Sequence, residues 1–100
     1  MTDPDRLKKT IAGLPAEPGV YIMKDDAGSI IYIGKASSLK KRVSSYFQKR
    51  DHDIKTRVLV TIVEDIEFIV TETEVEALIL ESSLIRKHRP KFNIQKKDDK

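Results

Sequence analysis

Gly19-Val20-Tyr21-Ile22-Met23-Lys24-Asp25-Asp26-Ala27-Gly28-Ser29-Ile30-Ile31-Tyr32-Ile33-Gly34 decides the fold of this 100-residue chain. Two runs rich in β-branched and aromatic residues flank a cluster of Asp and Gly, the pattern of a β-hairpin. Side chains alternate faces along a strand, so the loop length decides where the two tyrosines point. If Lys24 pairs with Ser29 across a four-residue loop, Tyr21 faces Tyr32 directly. A two-residue Ala27-Gly28 loop sets Tyr32 opposite Met23 instead. Either even loop leaves both tyrosines on one face, and that shared face is the first geometric expectation.

Outward from the hairpin, Asp3-Pro4 reads as a helix cap with proline at the first helical position, followed by Leu7, Ile11 and Leu14 at helical spacing. Gly13 and Pro15 stop that helix. After Gly34-Lys35, Ser37 or Ser38 can cap a helix whose Leu39, Val43, Tyr46 and Phe47 form an apolar stripe. A charged loop from Gln48 to Asp53 precedes a further helix, expected to turn Ile54, Val58, Leu59, Ile62 and Val63 inward. Ile66, Phe68 and Val70 alternate along a third strand. A last helix starts near Thr73 and runs to about Lys87, and its Ala77-Leu78-Ile79-Leu80 run predicts that it is largely buried. Arg89-Pro90 ends it, with Phe92 and Ile94 tucking back. The expected fold class is α+β, a small three-stranded, mainly antiparallel sheet flanked by about four helices. One domain over residues 1–100 is expected, with an N-terminal helix in 1–14, a frayed tail at 96–100 and the look of a fragment of a longer protein.

Charge is segregated. Residues 35–57 hold eight Lys/Arg and two Asp, residues 58–85 hold seven Asp/Glu and no Lys/Arg, and residues 86–100 hold seven Lys/Arg and two Asp. Two basic segments around an acidic one suit a polyanion surface beside carboxylates able to hold a cation. There is no cysteine and only two histidines, His52 and His88. Disulfides and thiolate metal sites are therefore excluded, and any metal falls to oxygen ligands, favouring magnesium or manganese over zinc. No apolar run is long enough to cross a bilayer and the start lacks a secretory pattern, so the expected location is cytoplasmic.

Several residues could carry chemistry. Lys40, Lys41 and Arg42 open the Leu39 helix, where cations oppose the helix dipole unless a phosphate sits among them. Arg42 stands at the edge of the buried stripe. Glu76 has an ordinary reading as the second half of a Thr73-x-x-Glu76 capping box. Thr71-x-x-Glu74 offers the same pattern two residues earlier and would release Glu76, partly desolvated, for a cation. Glu64 and Glu81 read as surface acids. Tyrosine, with an ordinary pKa of about 10, is a poor base unless nearby cations stabilise the phenolate. Lys35 and Arg42 are placed in sequence to supply that.

Gly19-Val20-Tyr21, Tyr32-Ile33-Gly34-Lys35, Arg42-Val43-Ser44-Ser45-Tyr46-Phe47, Glu74-x-Glu76-Ala77-Leu78 and Pro90-Lys91-Phe92-Asn93 occur in that order. Together they resemble the GIY-YIG endonuclease family, in its UvrC-type N-terminal branch, from about residue 15 onward. The resemblance implies a divalent-metal nuclease cutting a phosphodiester on the 3′ side of a DNA lesion in bacterial nucleotide excision repair. It implies Tyr32 as general base supported by Lys35, Tyr21 in the hydrogen-bonding network, Arg42 at the scissile phosphate and Tyr46 lining the site. It further implies Glu76 as sole protein ligand of a single Mg²⁺ or Mn²⁺, and Asn93 as a site-ordering residue. Lys40, Lys41, Lys49 and Arg50 would contact the DNA. Implied partners are damaged double-stranded DNA and, through parts of a longer protein, UvrB within a UvrA–UvrB–DNA complex. A stand-alone structure-specific or homing-type nuclease and a non-catalytic DNA-binding module are the alternative readings.

Overall fold

The computed structural model describes residues 4–48 and 53–94. Eight elements follow in the order α1 (Pro4–Ala12), β1 (Gly19–Lys24), β2 (Ile30–Ala36), α2 (Leu39–Gln48), α3 (Ile54–Ile62), β3 (Asp65–Val70), α4 (Glu74–His88) and α5 (Lys91–Ile94). The three strands form one antiparallel sheet with β1 central, in the order β2-β1-β3. The expected α+β class with three antiparallel strands is what forms. The fifth helix, four residues long, is an addition. The Asp3 cap, the 49–52 part of the charged loop and the tail from residue 95 lie outside the described residues.

A two-faced core explains the layering. On one side of the sheet Tyr21, Met23, Ile31 and Ile66 pack with Leu14, Leu39, Val43, Tyr46, Leu59, Val63 and Phe92. On the other side Val20, Ile22 and Ile33 pack under Ala77, with Leu80, Leu84 and Ile85 around them. Val20 and Ile33 are wholly buried. Each such side chain contributes about 1.5–3 kcal/mol by leaving water. The central strand is covered on both faces, which is why its burial is nearly continuous while β3, at an edge, buries only Ile66.

The hairpin closes differently from either even loop. Lys24 pairs with Ile30 around a five-residue loop, and Met23 then pairs with Tyr32, so the register shifts by one residue at Ile31. That extra residue is a β-bulge, and it restores the parity that an odd loop upsets. Ile31 and Tyr32, although adjacent, both reach the Tyr21 side of the sheet. The pairing beyond the bulge is the one the two-residue loop would have produced, and both tyrosines share a face.

Two glycines are required by close approach. A Cβ at Gly34 would overlap the Tyr21 hydroxyl and ring, and one at Gly19 would strike the Ile69 carbonyl and the Leu39 side chain. Gly34 thus leaves room for the Tyr21 phenol to lie across β2.

Two burial expectations are corrected. α4 is not largely buried. Only Ala77 is buried, while Val75 is 65% and Ile79 64% exposed, because a helix resting on one face of a three-stranded sheet covers a single stripe. In α3, Leu59 points inward and Val63 is buried just beyond its end, but Ile54 and Val58 face solvent. Ile54 directly follows the Asp53 cap, at the open end of the helix. Phe68 and Val70 are exposed on the β3 edge. Phe92 is buried as expected. Among the described residues no helix is long and apolar enough to cross a membrane.

Candidate active site

Tyr21 lies on the central strand and is 1% exposed. A buried hydroxyl needs a partner. Here the hydroxyls of Tyr21 and Tyr46 are 2.8 Å apart, joining β1 to α2. Their rings meet edge to face, with centroids 5.9 Å apart, and Tyr32 completes the group at 6.2 Å from Tyr21. Arg42, one helical turn before Tyr46, lays its guanidinium 5.3 Å from the Tyr46 ring centroid and hydrogen-bonds to Tyr21. Three phenols from three elements thus converge with one permanent cation.

Electrostatics divides the tyrosines by accessibility. Burial pushes the Tyr21 phenol far above its ordinary value; Tyr46 and Tyr32 add to that, and Arg42 opposes it. Tyr32 is less deeply set. Burial again raises it most, Tyr46 adds to the rise, Arg42 pulls it down and the Glu81 carboxylate pushes it up. The hydrogen bond to Tyr21 holds Arg42 more firmly protonated. All else being equal, both phenols stay neutral at physiological pH, and Arg42 alone does not reverse that. The sequence expectation that nearby cations make Tyr32 a ready base is therefore met only in the sign of the Arg42 contribution. Lys35 is exposed at the rim.

Beside this cluster lies an open depression of about 510 Å³, lined by Lys35, Ser37, Ser38, Lys41, Arg42, Ser45 and Glu74. Lys40 is exposed on the same first turn of α2 but does not line it. Lys49 and Arg50 lie outside the described residues. The backbone N–H groups at the start of α2 are already engaged within the protein. The Leu39 amide donates to the Glu17 carbonyl, Lys40 to the Pro15 carbonyl, Lys41 to the Ser38 hydroxyl and Arg42 to the Ser38 carbonyl. Side chains, not the helix end, make this surface basic.

On α4 the two candidate acids behave differently. The Thr73 hydroxyl accepts from the Glu76 N–H at 3.1 Å, and the Glu76 carboxylate accepts from the Glu72 N–H at 2.9 Å. This is a capping box whose return bond lands one residue before the cap. Glu74 does not take over that role; the Thr71 hydroxyl donates instead to the Thr73 carbonyl. Glu76 is also exposed, not partly desolvated as expected. Glu81 is half-buried and acts on Tyr32. Five residues separate the two acids, which at 3.6 per turn is about 140° around the axis. Glu81 instead shares a stripe with Ala77, four residues before it, and with Glu74, two turns before it, which lines the basic depression. A carboxylate on the sheet-facing stripe of an otherwise apolar helix face was the sequence signal for Glu81. It went unread because the helix was expected to be apolar on nearly all sides.

Asn93 has a defined job. Its side-chain oxygen accepts from the Ile33 N–H at 2.8 Å and its amide nitrogen donates to the Ile33 carbonyl at 2.9 Å. The side chain thereby acts as a one-residue strand on the β2 edge, fixing the backbone between Tyr32 and Gly34.

No cluster of three or more His, Cys, Asp or Glu able to hold a metal occurs among the described residues. A cation here would rest on very few protein ligands. That suits magnesium, which keeps several waters and binds through one or two carboxylates together with phosphate oxygens. A half-buried carboxylate near Tyr32, as Glu81 is, fits such an ion.

A family model described as the UvrC-like GIY-YIG domain matches residues 17–94. UvrABC system protein C of Methanosarcina acetivorans is 59% identical over 90 residues, covering 90% of this chain and 17% of that protein. Its counterpart in Caldicellulosiruptor saccharolyticus is 54% identical over 94 residues, covering 94% of this chain and 16% of that protein. The chain thus spans about a sixth of the length of these curated relatives. The crystal structure of the GIY-YIG N-terminal endonuclease domain of UvrC from Thermotoga maritima, bound to magnesium as its catalytic divalent cation, superposes with a TM-score of 0.81. It is 42% identical, and the match covers 90% of this chain and 98% of that one. A cation-bound version of that domain with a single asparagine-to-alanine substitution superposes at 0.79.

Proposed function

The chain belongs to the UvrC-like GIY-YIG domain family, and we propose on that basis, and on the geometry of its site, that it is a divalent-metal-dependent DNA endonuclease. One observation carries the reading. The Tyr21–Tyr46–Arg42 cluster and Tyr32 stand beside a half-buried acid, Glu81, and a depression lined by Lys35 and Lys41. Binding alone needs the basic side chains; it does not need three phenols and a carboxylate beside them.

Of the α4 acids, Glu81 is the one we assign to the cation, in place of Glu76. Glu81 faces Tyr32 from the packed side of the helix, whereas the Glu76 carboxylate is engaged in the cap. A bound divalent cation would supply positive charge to the phosphate and offset the Glu81 charge, which adds to the effect of burial in raising the Tyr32 phenol. Tyr32 is the partly accessible phenol, suited to accept a proton from water once its pKa falls. Tyr21 and Tyr46 hold Arg42 in place, and Arg42 meets charge developing on the phosphate. Lys35 and Lys41 hold the backbone of the duplex, with Lys40, Lys49 and Arg50 extending the basic surface. Asn93 keeps β2, and hence Tyr32, in position.

The finer reading is incision on the 3′ side of a lesion during nucleotide excision repair, by one Mg²⁺ or Mn²⁺. Damaged duplex DNA is the substrate and UvrB the partner, met through parts of a longer protein. The relatives' names and the match to a magnesium-bound UvrC endonuclease domain support its setting in excision repair. The test is nicking of supercoiled plasmid and of a lesion-bearing duplex, with Mg²⁺ or Mn²⁺ and with EDTA. Cleavage only with the metal supports the reading; metal-independent nicking, or none under any condition that allows DNA binding, rejects it.

A further inference from the structure

Glu74 is out of place electrostatically. It is the first residue of α4, exposed, and on the wall of the depression that Lys35, Lys41 and Arg42 make basic. An acid in the first turn of a helix is favoured by the dipole. That accounts for its sign but not for its position among the cations. Among the described residues Glu74 is in no ion pair, and neither are Lys35 and Lys41. Its charge is therefore not spent neutralising the patch, and the two lysines remain open to a ligand while Glu74 stands against the same ligand.

We infer that Glu74 is a specificity-determining residue of the proposed endonuclease, a fixed negative charge on the DNA-facing wall that holds down affinity for the DNA backbone in general. The inference rests on the endonuclease reading and extends it to how the site refuses unsuitable DNA. A phosphate about 7 Å from a carboxylate in a water-like medium binds roughly threefold more weakly for that repulsion at low salt, and the effect fades as salt screens it. Duplex held only by Lys35, Lys41 and Arg42 is then released readily. A duplex placed by further contacts or by a bound cation overcomes the same repulsion, so the charge discriminates between casual and delivered substrate.

The test uses the whole chain and a short fluorescent undamaged duplex, with anisotropy read without divalent ions across a range of salt. Glu74→Gln is expected to bind roughly threefold tighter or better at low salt, with the gap closing as salt rises. Glu74→Asp, which keeps the charge, should stay near the unmodified protein, and Lys41→Gln should bind more weakly. Circular dichroism reports whether the fold is kept. With Mg²⁺ added, Glu74→Gln should also nick undamaged plasmid faster. If the unmodified protein binds in a salt-dependent way but Glu74→Gln is unchanged or weaker, the Glu74 inference falls and the endonuclease reading stands. If the unmodified protein shows no salt-dependent binding at all, both fall.

Discussion

Glu76 and Glu81 are the same residue type on the same helix, five positions apart, and their surroundings give them different work. Glu76 stands in the first turn, exposed, its carboxylate accepting from the Glu72 N–H while its own N–H donates to Thr73. Glu81 sits at mid-helix, half-buried on the stripe that packs against the sheet, where its charge adds to the rise that burial and Tyr46 already impose on the Tyr32 phenol. The first arrangement closes the end of a helix. The second leaves a half-buried charge on the packed stripe, near the Tyr32 phenol. The lesson is that angular position on α4, more than the motif around each acid, separates the capping glutamate from the one we propose for the cation.

The largest expected effect breaks the pair apart. Glu81→Gln should cut metal-dependent cleavage on the order of a thousandfold while leaving thermal unfolding near that of the unmodified chain. Glu76→Gln should leave cleavage within a few-fold. Steady-state nicking and a melting curve on both variants check this, and equal losses in both would erase the distinction. Next in size is Tyr32→Phe, which keeps the ring and removes the hydroxyl. It should slow cleavage by roughly a hundredfold or more at unchanged DNA affinity. Near-normal cutting would remove Tyr32 from proton transfer. In the metal-free protein, Glu81→Gln should also lower the Tyr32 pKa, since it deletes a charge that raises it; absorbance titration of the phenols reads this directly.

Smaller effects fall on the capping side. Thr73→Ala should cost about 1 kcal/mol of stability by unpairing the Glu76 N–H, with little change in turnover once folded. The phenols add a pH dependence. Tyr21 and Tyr32 are raised in the folded chain above their unfolded value of about 10. Their contribution to stability is complete below pH 10 and is lost as pH climbs beyond it, because the unfolded chain sheds those protons first. Alkaline unfolding and phenolate absorbance should therefore rise together. Phenolate signal well before unfolding would show that the tyrosines are less enclosed than described.

Much of this was legible from residue order. Period-two alternation placed Tyr21 and Tyr32 on one face, and Thr73-x-x-Glu76 marked the start of α4. The five-residue loop was not legible, because the bulge at Ile31 exchanges one residue of loop for one residue of strand, and neither change has a composition of its own. The need for glycine at position 34 comes from a phenol on the neighbouring strand, a tertiary contact invisible locally. Glu81 was missed for a different reason. Reading Ala77 to Leu80 as apolar on nearly all sides left no inward stripe on which an acid could stand out. Once the sheet selects Ala77 as the covered side, Glu81 falls on it four residues later.

The most direct measurement is calorimetric titration of Mn²⁺, alone and with a short duplex present, into the unmodified chain, Glu81→Gln and Glu76→Gln, each shown to be folded. The account predicts that binding disappears with Glu81→Gln and survives with Glu76→Gln. Binding that survives the loss of Glu81 and disappears with Glu76 would contradict it.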